Sequence, residues 1–242
     1  MTPGMLAAPL VERLRDGGFL RIDAPDLLAL AGPDAGAGFA AFAASWDHLH
    51  TDTYMADGGR YRRRRHACLA VEGTSVVRQP HQPHFQARDY NHLNGGVDRW
   101  FTPMADDVAD HPLFVGLATV FGGVFDAASG RPRRWRVEAH QFRIEADPAR
   151  PGLPTPEGMH RDGVDWVAVT LIGRHNVAGG VTAVADADQR PLGSFTLTDP
   201  LDTVVLDDHR VWHGVTPVVP ERAGLPAHRD VLVLTYRDAA SG

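Results

Sequence analysis

Apolar and polar positions divide the 242-residue chain into two kinds of sequence. Through about residue 50, helix-spaced apolar positions recur in alanine-rich, glycine-interrupted stretches, ending in GFAAFAASWDHLH, with GFLRID reading as a short strand between two helical regions. From about residue 61 the pattern shortens to ACLAVEG, WRVEAHQFRIEA, DWVAVTLIG, GGVTAVAD, SFTLTD, DTVVLDD, RVWHGVTPV and RDVLVLTYR, separated by Pro, Gly, Asn and Asp. One helical run, DVADHPLFVGLATVFGGVFDAAS, interrupts the series. Many short strands divided by turn residues favour a β-sandwich or barrel, because a βαβ sheet needs a helix after each strand. The expectation is a mainly β protein with flanking helices around a jelly-roll core. It forms one domain, 1–242, with a helical region at 1–60 packed on a core at 61–242 that carries a helical insertion near 105–128. The proline-rich ADPARPGLPTPEG reads as a surface loop that feeds a site rather than as a domain boundary.

Composition narrows the class. The chain is 43% hydrophobic and 22% charged, as in soluble globular proteins, and no segment approaches the roughly 18 uninterrupted apolar residues of a membrane span. No membrane partner is expected. The first residues lack the basic start and apolar stretch of a secretory signal, which makes the cytoplasm the expected setting. The single cysteine, Cys68, rules out an internal disulfide framework and reads as a small buried apolar residue. A net charge of −6 argues against nucleic acid as a partner. The exception is RYRRRR, residues 60–65, read either as an alternating strand with arginines on its wet face or as a device for capturing a carboxylate. The chain has no lysine, which excludes a Walker-type phosphate loop and Schiff-base chemistry and leaves arginine to make any carboxylate clamp. Oligomeric state is not legible, and a homo-oligomer stays open.

The segment EGMHRDGVDW places His160 and Asp162 two apart at the entrance to a strand, where residues i and i+2 share a face roughly 6–7 Å apart. An HxD alone is common. His213, in the β-like RVWHGVTPV, supplies a third donor, and two histidines with one carboxylate form the facial triad of Fe(II) oxygenases. Zinc accepts the same donors, so the residues do not choose the metal. If 2-oxoglutarate chelates iron, its far carboxylate needs a buried planar cation. Arg229 opens the final strand. Arg237 shares its face but lies roughly 26 Å further along, so the two cannot share one carboxylate, and Arg229 is chosen.

These segments make the chain resemble the Fe(II)/2-oxoglutarate-dependent dioxygenases with a double-stranded β-helix core, most closely the bacterial branch of free-amino-acid hydroxylases that includes isoleucine dioxygenase. The resemblance rests on HFQARDYNHLNGGVDRWF, EGMHRDGVDWVAVTLIGRHNVAGG and LDDHRVWHGVTPV, completed by RDVLVLTY, and spans roughly residues 60–237. It implies that His160, Asp162 and His213 are the catalytic iron ligands and that Arg229 binds the cosubstrate tail. The reaction it implies consumes O2 and 2-oxoglutarate, releases succinate and CO2, and oxidises an unactivated C–H. Asp162 separates the chain from related halogenases, which carry a small residue there.

The spacings of His81 with His84 and of His48 to Asp52 are read as capped turns or surface pairs, since 13 histidines make coincidences common, and the helical spacing of His209 with His213 is discounted because the runs on either side look like strands. The glycines of RHNVAGG read as a tight turn or bulge beside the site. An amino-acid substrate presents an ammonium and a carboxylate, which nominates Glu157 with Arg143 or Arg64 as its contacts. The expected function is hydroxylation of a free amino acid or small derivative. The alternatives are the same chemistry on another small natural-product precursor, a non-catalytic jelly-roll binding protein, or a zinc hydrolase.

Overall fold

A computed structural model describes residues 3–32 and 34–241. The N-terminal part supplies α1 (Pro3–Gly17), β1 (Phe19–Ile22), α2 (Ala24–Ala31), α3 (Phe39–Ala44) and β2 (His50–Thr51). Next come β3 (Arg62–Glu72), β4 (Ser75–Arg78), α4 (Asp106–Ala109) and α5 (Pro112–Ser129). The remaining strands are β5 (Arg134–Glu145), β6 (Trp166–His175), β7 (Val177–Gly179), β8 (Val181–Ala185), β9 (Pro191–Thr196), β10 (Thr203–Asp207), β11 (Trp212–Val215), β12 (Val218–Pro220) and β13 (His228–Asp238).

The large sheet has eight strands in the order β1-β10-β6-β13-β5-β3-β2, with β4 hairpinned onto β3. A three-stranded sheet, β11-β8-β9, and the pair β12-β7 complete the β structure, and strand pairing is antiparallel throughout. This is the mainly β, jelly-roll architecture that the strand pattern predicts.

The large sheet is covered on both faces, and the period of two decides which residue meets which cover. Along β13, Leu232, Leu234 and Tyr236 join the core built with the helices, whereas Arg229, Val231, Val233, Thr235 and Arg237 line a cavity on the other side. In β5, Val137 and Ala139 face the helices while Glu138, His140 and Phe142 face the cavity. The helix-side core centres on α5, whose Phe125 stacks on Trp166 at 5.1 Å and meets Tyr236 edge-on at 4.9 Å. Contrary to the sequence reading, α5 is long and apolar enough to cross a membrane by length and composition, with a mean hydropathy of 1.5 over 18 residues. Its Phe114, Phe121 and Phe125 are nevertheless fully covered by protein.

Cys68 is buried in β3 as expected, and burial pushes its thiol up to about 12. The arginine run departs from its wet-face reading. Arg62 and Arg64 point inward and are buried, both paired to the buried Asp52, while Arg63 pairs with Glu145 and Arg65 reaches the carbonyls of His48 and Pro103.

Candidate metal centre

His160 and His213 are distant in sequence, and one antiparallel bridge joins them. The His160 N–H donates to the His213 carbonyl at 2.9 Å and the His213 N–H donates back at 3.0 Å. Residues paired in this way project side chains to the same face, so the imidazole centroids lie 4.4 Å apart. His160 donates Nδ1–H to the Gly158 carbonyl at 3.1 Å, which fixes its tautomer and leaves the Nε2 lone pair for the cavity. Asp162 sits between the rings, with Oδ1 3.8 Å from His160 Nε2 and Oδ2 3.5 Å from His213 Nε2.

Asp208 holds Asp162 in place. Its carboxylate accepts the backbone N–H groups of Asp162, Gly163 and Val164 at 2.9, 2.7 and 3.0 Å, which pins the turn that enters β6. Gly163 has φ +77, and a Cβ there would meet the Tyr90 ring at 2.5 Å, so both conformation and space require glycine. Burial, opposed by His160 and reinforced by Asp208 and Glu157, pushes the Asp162 carboxyl up to about 7. Burial also lowers the His213 pKa, keeping that imidazole neutral. Two imidazoles and a carboxyl that retains a proton only because its charge is buried are a donor set suited to a divalent cation. Their separations suit ligands sharing one ion through bonds of about 2.0–2.2 Å.

The three side chains line a cavity of about 290 Å³. Arg229 enters the same cavity from β13. It is 2% exposed, its Nε and Nη2 have no partner among the described residues, and burial lowers its pKa only to about 10, so it is charged at neutral pH. An uncompensated buried guanidinium is costly unless an anion arrives to meet it. Arg237 lines the cavity further along β13, where the period of two puts it. The glycine turn read from RHNVAGG also lies here: a Cβ on Gly180 would come 3.4 Å from Arg229 Cδ.

The nominated substrate contacts have different fates. Glu157 and Arg64 line the cavity. Arg143 does not. Its side chain takes the opposite face of β5 and is held by Asp230 at 2.8 and 2.7 Å and by Asp47 at 2.9 Å, so it is unavailable to a ligand. His209 lies in a turn, bonded to Asp165; Asp52 accepts the Tyr54 N–H as a capped turn would, but it is buried and paired to Arg62 and Arg64 rather than lying at the surface.

His84 departs from the turn reading, because it joins His66, Glu138 and His140 in a second donor cluster. Glu138 accepts from His84 Nδ1–H and lies 3.5 Å from His66 Nε2. Arg64 donates to His140 Nδ1 at 2.7 Å. Burial lowers all three histidine pKa values, His84 to about 4. His66 Nδ1 has no partner among the described residues, but the Arg64 guanidinium against His140 opposes a cation there. No spacing along the chain announces this cluster, since its members come from β3, β5 and a loop.

The model of the 2OG-Fe dioxygenase family matches residues 43–235. The chain belongs to this family. A solved structure of a bsmA homolog from Methylobium petroleophilum PM1 is 40% identical, covers 96% of this chain and 93% of its own, and superposes with a TM-score of 0.86. L-isoleucine-4-hydroxylase of Bacillus thuringiensis is 27% identical over 170 residues, 69% of this chain and 70% of that protein. The 3(1)-hydroxy-L-isoleucine 4-dioxygenase of Pantoea ananatis (strain AJ13355) is 26% identical over 195 residues, 79% and 78% of the two chains. As a 2OG-Fe dioxygenase the chain uses Fe(II), 2-oxoglutarate and O2. The dioxygenase cavity contains the features those reagents need: a His–Asp–His group and a buried arginine whose Nε and Nη2 have no partner among the described residues.

Proposed function

We propose that His160, Asp162 and His213 hold the iron, that Arg229 binds the far carboxylate of 2-oxoglutarate, and that the enzyme hydroxylates a free amino acid or a small derivative of one. The unpartnered Arg229 in the cavity of the His–Asp–His group carries the reading, because it calls for a second anionic ligand beside the metal. The two relatives named for isoleucine chemistry support the substrate class.

The bound iron, with O2 and 2-oxoglutarate, supplies the oxidising power for an unactivated C–H bond, and succinate and CO2 leave as products. The chain's own residues do the rest. Gly158 and Asp208 fix the orientation of His160 and Asp162, Arg229 sets the cosubstrate's direction, and the valines of β6 and β13 keep one wall dry.

The test is 2-oxoglutarate turnover started by oxygen in the presence of Fe(II) and a panel of amino acids, read by mass. A product one oxygen heavier with stoichiometric succinate is expected. Activity without O2 or 2-oxoglutarate would point instead to a hydrolase. Anaerobic Fe(II) with 2-oxoglutarate should give a visible charge-transfer band, and its persistence in His160→Ala would overturn the ligand assignment. The same reading takes residues 1–242 as one domain acting on a small molecule, which two stable proteolytic fragments that separate under native conditions would contradict.

A further inference from the structure

A charge inventory of the cavity leaves two groups unaccounted for once Arg229 is given to 2-oxoglutarate. Arg62 and Arg64 are paired to Asp52. Arg136 is half exposed and Arg237, also exposed, donates to the Gly163 carbonyl. Arg99 is different. It lines the cavity at 2% exposure, its Nε has no partner, and its one side-chain hydrogen bond is a long 3.4 Å contact from Nη2 to Gln86 Oε1. It has no carboxylate partner among the described residues. The second group is Glu157, whose Oε2 is buried without a partner and whose Oε1 lies 3.5 Å from His160 Nε2. Among the described residues no guanidinium pairs with it, although its charge acts through space on Arg99.

A buried guanidinium and a buried carboxylate, left unpaired with each other in one cavity, suit a ligand that carries both opposite charges. One wall beside them is aliphatic. Val167 and Val169 on β6 face the cavity next to Val231 and Val233 on β13, with Val169 registered against Val233. We propose that Arg99 binds the α-carboxylate and Glu157 the α-ammonium of the substrate, with an unbranched or branched aliphatic side chain lying against these valines. This rests on the reading of the enzyme as an amino-acid hydroxylase and supplies what that reading lacks, the residues that recognise the zwitterion. Arg99 is thereby a second carboxylate anchor, separate from the one that serves the cosubstrate.

The experiment compares, for the Fe(II)-loaded full chain, kcat/KM for aliphatic L-amino acids with their α-carboxamides, their decarboxylated amines and their N-acetyl derivatives. A site built around a buried charge is expected to disfavour each blocked analogue on the order of 100-fold. Arg99→Gln should lower kcat/KM for the acid by a similar factor and collapse the preference for acid over amide. KM for 2-oxoglutarate should not move, and Arg99→Lys should restore part of the loss. Glu157→Gln should erase discrimination against the N-acetyl compounds while metal content stays at its wild-type value.

If amino acids are turned over but acid and amide are used alike, the subsite is overturned and the hydroxylase reading stands. If no amino acid supports turnover, the reading itself falls and the subsite with it. The wild-type analogue comparison decides the matter even if Arg99→Gln does not fold. Loss of metal in Glu157→Gln would make Glu157 a ligand and overturn its assigned role.

Discussion

At the scale of single residues, His160 and Asp162 are the best-defined part of the site, and their sequence spacing announces them. What spacing does not contain is the tautomer of His160, set by the Gly158 carbonyl, or the company that Asp208 and Glu157 give to Asp162. Two predictions belong here. The chain should bind one equivalent of Mn(II) or Fe(II), lost in His160→Ala and retained in His84→Ala, by metal analysis after dialysis. Two equivalents, or loss in His84→Ala, would make the His66–His84–Glu138–His140 cluster a metal site. The second concerns pH. In the metal-free protein burial pushes the Asp162 carboxyl up to about 7, and His160, although burial lowers it, is raised by the charges of Asp162 and Glu157, so in acid a metal must displace protons from this pair. Affinity for Mn(II) should level off above about pH 7 and fall by at least about tenfold for each unit below it. Calorimetric titrations at several pH values would reveal this slope, and an affinity independent of pH between 6 and 8 would contradict it. Arg99 was not legible as a binding residue. It lies inside a segment whose resemblance to the family is visible, but nothing in a linear sequence says which arginine will be buried without an anion.

At the scale of elements, the run RDVLVLTYR carried its meaning openly. Alternation assigns Leu232, Leu234 and Tyr236 to one side and Arg229, Val231 and Val233 to the other, and the structure follows. RYRRRR could not be read this way, because arginine occupies both faces and the in-out signal vanishes. The buried Asp52 decides it. Arg143 misled for a related reason: on β5 it sits one position from Phe142, and a step of one residue changes the face. The turn that delivers Asp162 depends on three N–H groups sharing one carboxylate, so Asp208→Ala removes its template. Metal affinity is expected to fall by about 10–100-fold with the fold retained. Equilibrium dialysis with circular dichroism measures both, and unchanged affinity would show that the turn holds without Asp208.

At the scale of the molecule, the jelly roll follows from strands too closely spaced to be joined by helices. The helical insertion at α4 and α5 finds its place because its phenylalanines need the outer face of the large sheet. By length and composition α5 could cross a bilayer; that it packs on the sheet instead was not legible, since its partners Trp166 and Tyr236 come from strands far along the chain. The fold thus leaves one face of the sheet for stability and the other for chemistry.

Cys68 lies at 3% exposure on β3, one strand in from the edge of that sheet, and it is the chain's single thiol. An alkylating dye can reach it only when neighbouring strands part, so the pace of labelling times the molecule's breathing from within. Native protein should take up dye slowly, more slowly still with Mn(II) and 2-oxoglutarate present, and at once in denaturant. Mass spectra collected over hours would record that interval, and immediate stoichiometric labelling of the native chain would mean the barrel opens freely.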